Sequence, residues 1–98
     1  METEFVSDDL DKLETDENFT GGYAREIVKA FRKRMQAIRA AADERDLIAV
    51  RGNRFEKLKG GRSHQHSLRI NDQMRLVVEI VSASPKNKIR IVAIEDYH

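Results

Sequence analysis

The chain has 98 residues, enough for one domain with a real core, since a chain of this size buries somewhat over about 60% of its unfolded surface. It has no cysteine, which excludes disulfide frameworks, thiolate zinc sites and thiol redox chemistry and fits a reducing cytoplasm. A net charge of +1 hides an asymmetry: residues 1–18 hold eight acidic side chains against Lys12 alone, and residues 19–98 hold nine acidic against seventeen basic. The cationic body points to nucleic acid or an acidic protein as partner, beside the plainer reading of a solvated charged face. Apolar runs are only a few residues long, far below the roughly 20 that span a bilayer, and the acidic start is unlike a signal peptide. The chain therefore reads as a soluble intracellular protein with no membrane partner.

In chain order, Thr3 to Val6 suits a short strand. Ser7 followed by Asp8 and Asp9 is a helix start, with a capping hydroxyl and acids at the positive end of the dipole. Leu10 and Leu13 give that helix a thin apolar edge, and it ends near Thr15 to Asn18. After the break at Asn18 to Gly22, Tyr23, Ile27, Val28, Phe31, Met35, Ile38 and Ala42 fall on one helical face over about five turns. The remaining faces carry Arg25, Lys29, Arg32, Lys33, Arg34 and Arg39 against Glu26 alone. Pairing this basic helix with the acidic first one accounts for the charge asymmetry without any ligand; a polyanionic partner is the other account.

Asp43 to Asp46 reads as a polar connector, and from Arg54 the period changes to two. Arg54 to Leu58 is a predicted strand, followed by a turn at Gly60 and Gly61. Ser67 to Asn71 and Met74 to Val81 form a hairpin through Asn71 and Asp72, with Leu68, Ile70, Met74, Leu76, Val78 and Ile80 on one face and Arg69 and Arg75 on the other. Ser82 to Asn87 is a loop. The last strand alternates Ile89, Ile91 and Ala93 and ends on Glu95, Asp96, Tyr97 and His98. The architecture that follows is α+β: an N-terminal helical hairpin packed on one face of a twisted, mostly antiparallel sheet, in a single domain over residues 1–98. The other face is left for work, and residues 51–75 supply seven basic side chains against Glu56 and Asp72.

These residue types suit RNA cleavage without a metal or other cofactor. One group must deprotonate the 2′-hydroxyl, one must protonate the departing 5′-oxygen, and cations must stabilise the charge on phosphorus. Asp96, Tyr97 and His98 are candidates for proton transfer, and Lys59 and Arg75 for the cations. Arg54, Lys57, Arg62, His64, His66 and Arg69 are candidate RNA contacts. His64 and His66 would point to one side of a strand, as a metal pair must, but lack a third ligand; phosphate or base contact, or plain exposure, is the better reading.

The runs RFEKLKG from Arg54, HSLRINDQMRLVVEI from His66 and IVAIEDYH from Ile91, in this order and spacing, resemble the HigB-type toxins of the RelE/ParE superfamily. The acidic first helix and the basic second helix are also similar, so the likeness covers nearly the whole chain. The resemblance implies a RelE-like fold and a ribosome-dependent mRNA interferase that cuts mRNA in the A site. It implies the 70S ribosome, mRNA and a HigA-type helix-turn-helix antitoxin as partners. By position it carries the family's active-site pattern onto Lys59, Arg75, Asp96, Tyr97 and His98. Family members often have histidine two residues before the Leu-Lys-Gly, where this chain has Glu56: either Glu56 takes the role of base, or Asp96 and His98 divide the proton transfers. The superfamily also holds gyrase poisons without such a tail, so the terminal DYH points to RNA cleavage. The alternative is a non-catalytic toxin or regulator that blocks gyrase or the ribosome with its basic face.

Overall fold

The computed structural model describes residues 1–96. In chain order the elements are β1 (Thr3–Phe5), α1 (Asp8–Thr15), α2 (Arg25–Ala40), α3 (Glu44–Ala49), β2 (Glu56–Lys57), β3 (His66–Arg69), β4 (Met74–Val81) and β5 (Lys88–Asp96), with 3-10 turns at Arg51–Asn53 and Gly60–Arg62. The strands form one sheet in the order β1-β5-β4-β3-β2, antiparallel except for β1 against β5. The predicted α+β architecture is the one observed, with the helices on one face of the sheet.

Local chemistry explains most of the boundaries. Ser7 caps α1 by accepting from the Leu10 N–H at 3.3 Å, as its position before two aspartates foretells. Gly21 and Gly22 both adopt positive φ, and the turn they make lets α2 begin at Arg25. The polar connector expected at Asp43 to Asp46 is instead the start of α3: the Asp43 carboxylate accepts from the Arg45 N–H at 2.9 Å and caps a six-residue helix. That helix buries only Leu47, so it leaves no periodic signal. The strand expected over Arg54 to Leu58 shrinks to Glu56–Lys57, because Arg54 takes a left-handed conformation (φ 44°, ψ 56°) that breaks an extended run.

The core lies between sheet and helices. Phe31, Met35 and Ile38 of α2, Leu13 of α1 and Leu47 of α3 meet Leu68, Leu76, Val78, Ile89 and Ile91, all buried. Each large side chain so placed contributes roughly 1.5–3 kcal/mol, so the helices stay on this face and leave the other one open for polar residues.

One irregularity sets which residues reach that open face. Val77 pairs with Ala93 but Val78 pairs with Ile91, so Val92 is an extra residue in β5, a β-bulge. Side chains alternate along a strand, and one inserted residue reverses the alternation beyond it. Ile89 and Ile91 before the bulge face the helices; after it Ile94 does so, opposite Leu76, and Ala93 moves to the open face opposite Val77. The sequence-derived alternation Ile89, Ile91, Ala93 on one face is corrected by this single residue.

Candidate active site

The open face is built around the β3–β4 hairpin. The Asn71 side chain accepts from the N–H groups of Gln73 and Met74 at 2.9 and 2.7 Å and fixes the turn. Arg69 and Arg75 then lie directly opposite each other. The next residue, Ile70, donates its N–H to Met74 O at 3.0 Å, which makes Arg69–Arg75 a non-hydrogen-bonded pair, the kind whose side chains approach most closely. Two like charges at this spacing repel unless carboxylates stand beside them. Asp72 accepts from Arg69, and Glu95 accepts from Arg75 Nη2 at 3.4 Å.

Glu95 sits beside Arg75 because of the bulge. Arg75 is paired with Glu95 across β4 and β5, and Asp96 is paired with Met74, on the side of the strand that faces the helices. The Glu95 carboxylate also takes both arms of Arg62, from Nη1 at 2.9 Å and Nη2 at 2.8 Å. The bond to Arg62, reinforced by Arg75, holds its pKa below the usual carboxylate value. Arg62 Nε donates to Gln65 at 2.9 Å, Gln65 donates to Glu79 at 3.0 Å, and Arg90 donates to the other Glu79 oxygen at 3.0 Å. The bond from Gln65, then that from Arg90, keeps Glu79 below its ordinary pKa as well.

Beside Arg69 is a cavity of about 400 Å³ lined by Gly52, Arg54, Glu56, Ser67, Arg69, Asn71 and Asp72. Three predicted site residues therefore share one concavity: Arg54, Glu56 and Arg69. Its back wall is held from below by Arg34 of α2, which donates to Arg69 O, to Asn53 Oδ1 at 2.8 Å and to Gly52 O at 3.0 Å. Burial, then the nearby Arg69 charge, lowers the Arg34 pKa, yet a guanidinium stays protonated at any working pH.

The other predicted residues are dispersed. Lys59 is exposed just before the Gly60–Arg62 turn. His64 lies in that turn's far side, its Nε2 3.7 Å from Glu79 on the open face. His66 pairs with Lys57 in the ladder and is stacked on Phe55, 4.9 Å between ring centres and 5° from parallel. Burial depresses its pKa, with Lys57 adding and Glu44 opposing. His64 precedes the strand, so the two histidines do not share a side, and no group of three or more His, Cys, Asp or Glu residues suited to a metal occurs among the described residues. Tyr97 and His98 lie outside the described residues. Glu95, Arg34 and Gln65 are the site residues that sequence reasoning missed. Only for Glu95 did a signal exist, its place beside Asp96 at the end of a strand.

A cationic pair, a carboxylate wedged between guanidiniums and a polar concavity suit a phosphodiester more than an apolar ligand. Comparison with known sequences narrows this. The family model described as "RelE-like toxin of type II toxin-antitoxin system HigB" matches residues 3–97. The chain belongs to this family of toxins. No curated protein matches the sequence. Among solved structures, the toxin is similar to a YoeB/ParE toxin from Agrobacterium tumefaciens, with 14% identity, full coverage of both chains and a TM-score of 0.60. It is also similar to a chain of the YoeB-YefM complex from Staphylococcus aureus, with 21% identity, coverage of 100% of this chain and 97% of that one, and a TM-score of 0.59. At these identities the likeness is one of fold. No helix among the described residues of the toxin is long and apolar enough to cross a membrane.

Proposed function

We propose that this toxin is a ribosome-dependent mRNA endonuclease that cuts in the A site and so halts translation in the cytoplasm. The observation that carries the reading is the Arg69–Arg75 pair on the open face, two guanidiniums at strand spacing beside a polar cavity. A base removes the proton of a 2′-hydroxyl, the resulting oxygen attacks the adjacent phosphorus, and the 5′-oxygen leaves with a proton supplied by an acid. The products are a 2′,3′-cyclic phosphate and a 5′-hydroxyl end. Arg75 and Lys59 stabilise the charge that builds on phosphorus, and Arg54 and Arg69 bind the flanking backbone.

Glu56 lines the same cavity as Arg69, which supports it as the base. Tyr97 and His98 are the remaining proton-transferring groups, carried over by resemblance to the family; Asp96, which the resemblance also names, pairs with Met74 on the helix-facing side of β5, away from Arg75. A protein with so few reacting groups gains most of its rate from substrate geometry, which the ribosome imposes on the mRNA. Membership of a toxin-antitoxin family, and a solved fold relative whose title names the YoeB-YefM complex, support a HigA-type antitoxin as the second partner.

Primer extension on a defined mRNA, with and without 70S ribosomes, tests this. New ends with ribosomes only, lost in Arg75→Ala and on removal of His98, are the expected outcome. Growth arrest by both variants without new ends would replace the nuclease by a blocking toxin.

A further inference from the structure

We infer that Arg62 and Glu95 form a clasp that holds the β2–β3 turn over the open face, making both of them positioning residues for the proposed cleavage rather than RNA contacts. The inference rests on the nuclease reading for its effect on rate, and on geometry alone for the clasp itself.

The turn between β2 and β3 contains Gly60, at φ 70°, and Gly61, and its main chain closes on itself through Leu58 N–H to Gln65 O and Gln65 N–H to Arg62 O, each at 2.9 Å, which shapes the turn without attaching it to β4 or β5. What fixes it are two side-chain bridges to strands remote in sequence. Arg62 engages Glu95 of β5 through two parallel N–H···O bonds, a geometry that sets both distance and orientation. Gln65 reaches Glu79 of β4, and Arg62 Nε ties back to Gln65, so the two bridges brace each other. They land on either side of Val77, which is 0% exposed although it lies on the face opposite the helices.

The clasp has two consequences for the site. Lys59, three residues before Arg62, is carried on the same turn, so the position of its ammonium group relative to the sheet depends on where the turn is held. Glu95 Oε1 accepts from both Arg62 and Arg75, so the same carboxylate that holds the turn orients Arg75. Nε, Nη1 and Nη2 of Arg62 each already donate within the protein, so its fork is not the one offered to a phosphate.

The test is a charge swap read by two measurements. Arg62→Glu and Glu95→Arg should each lower the single-turnover cleavage rate on mRNA-programmed ribosomes by about 10- to 100-fold, the loss expected of misplacement, with ribosome affinity within about twofold of wild type. The double swap should recover only the part of the rate lost through the turn, because it leaves Arg75 without its carboxylate, and Glu95→Gln, isosteric and uncharged, should lie between wild type and Glu95→Arg. Amide exchange over residues 58–65 should accelerate in each single variant and slow again in the double swap. Weakened ribosome binding in Arg62→Glu without recovery in the double swap would make Arg62 an RNA contact and overturn the clasp. Unchanged exchange in the folded single variants would overturn it as well. If the wild-type protein leaves mRNA intact, the nuclease reading fails by itself, and the exchange data still decide for or against the clasp.

Discussion

Arg34 Nη1 donates to Asn53 Oδ1 at 2.8 Å, and through this contact α2 holds a buried side chain on the opposite side of the β3 edge. Asn53 is 2% exposed, and its amide in turn donates to Leu47 O of α3 at 3.2 Å. The short strand β2 begins too late, at Glu56, to pair with the end of β3, and the Arg34 fork takes its place by meeting Arg69 O. Arg34→Met keeps the aliphatic stem and removes the donors. It should lower unfolding free energy by about 1–3 kcal/mol, the penalty for leaving buried acceptors without partners. Urea denaturation measures the loss, and amide exchange at residues 51–54 and 69–71 should show that it is local.

His66 gives the protein a pH dependence of known sign. Its folded pKa is lowered, chiefly by burial, so between the folded value and the unfolded value of about 6.5 the unfolded chain binds more protons than the native one. The stability it confers is full above that unfolded value and is lost as pH falls through the folded one. His66→Phe should preserve the stack on Phe55 and remove the buried Nδ1, which has no hydrogen-bond partner among the described residues. Urea midpoints at pH 8 and pH 5.5 should differ less in the variant than in the wild type. An equal difference in both would show that other groups set the dependence.

Arg75 should respond to shape as well as charge. Arg75→Ala should reduce single-turnover cleavage on programmed ribosomes on the order of 10²-fold, the scale for removing one preorganised donor group. Arg75→Lys should recover only part of this, since an ammonium keeps the charge and loses the fork that meets both Glu95 and a phosphate. A lysine variant as active as wild type would mean that a point charge suffices.

Phe31 is 0% exposed at the centre of the face where α2 meets the sheet. Phe31→Ala should remove about 3–5 kcal/mol, a large part of the roughly 5–15 kcal/mol by which a domain is stable. Thermal and urea unfolding should both show it, with the folded fraction still binding ribosomes.

The apolar stripe from Ile27 to Ile38, the capping Ser7, the turn at Asn71 and the alternation along Met74 to Val81 determined α1, α2 and the central hairpin, because each signal lies within a few residues of what it specifies. The opposed arginines 69 and 75 were legible for the same reason, and so was the family, carried by runs of contiguous residues. What only the tertiary structure decided depends on contacts between distant parts of the chain. Neutralisation of the second helix by the first was one of two accounts of the charge asymmetry, and it occurs in the bidentate pair of Glu14 with Arg39 at 2.6 Å, whereas Arg32 donates to the main-chain oxygens of Leu13 and Asp16, each at 2.9 Å. Arg34 looked like one more surface cation and is a structural fork. That Glu95 rather than Asp96 reaches the open face with Arg75 turns on Val92, whose bulge is set by how β5 registers against β4. A strand's alternation is read locally, but its phase is fixed by its neighbours, and one unpaired residue is enough to exchange the two faces.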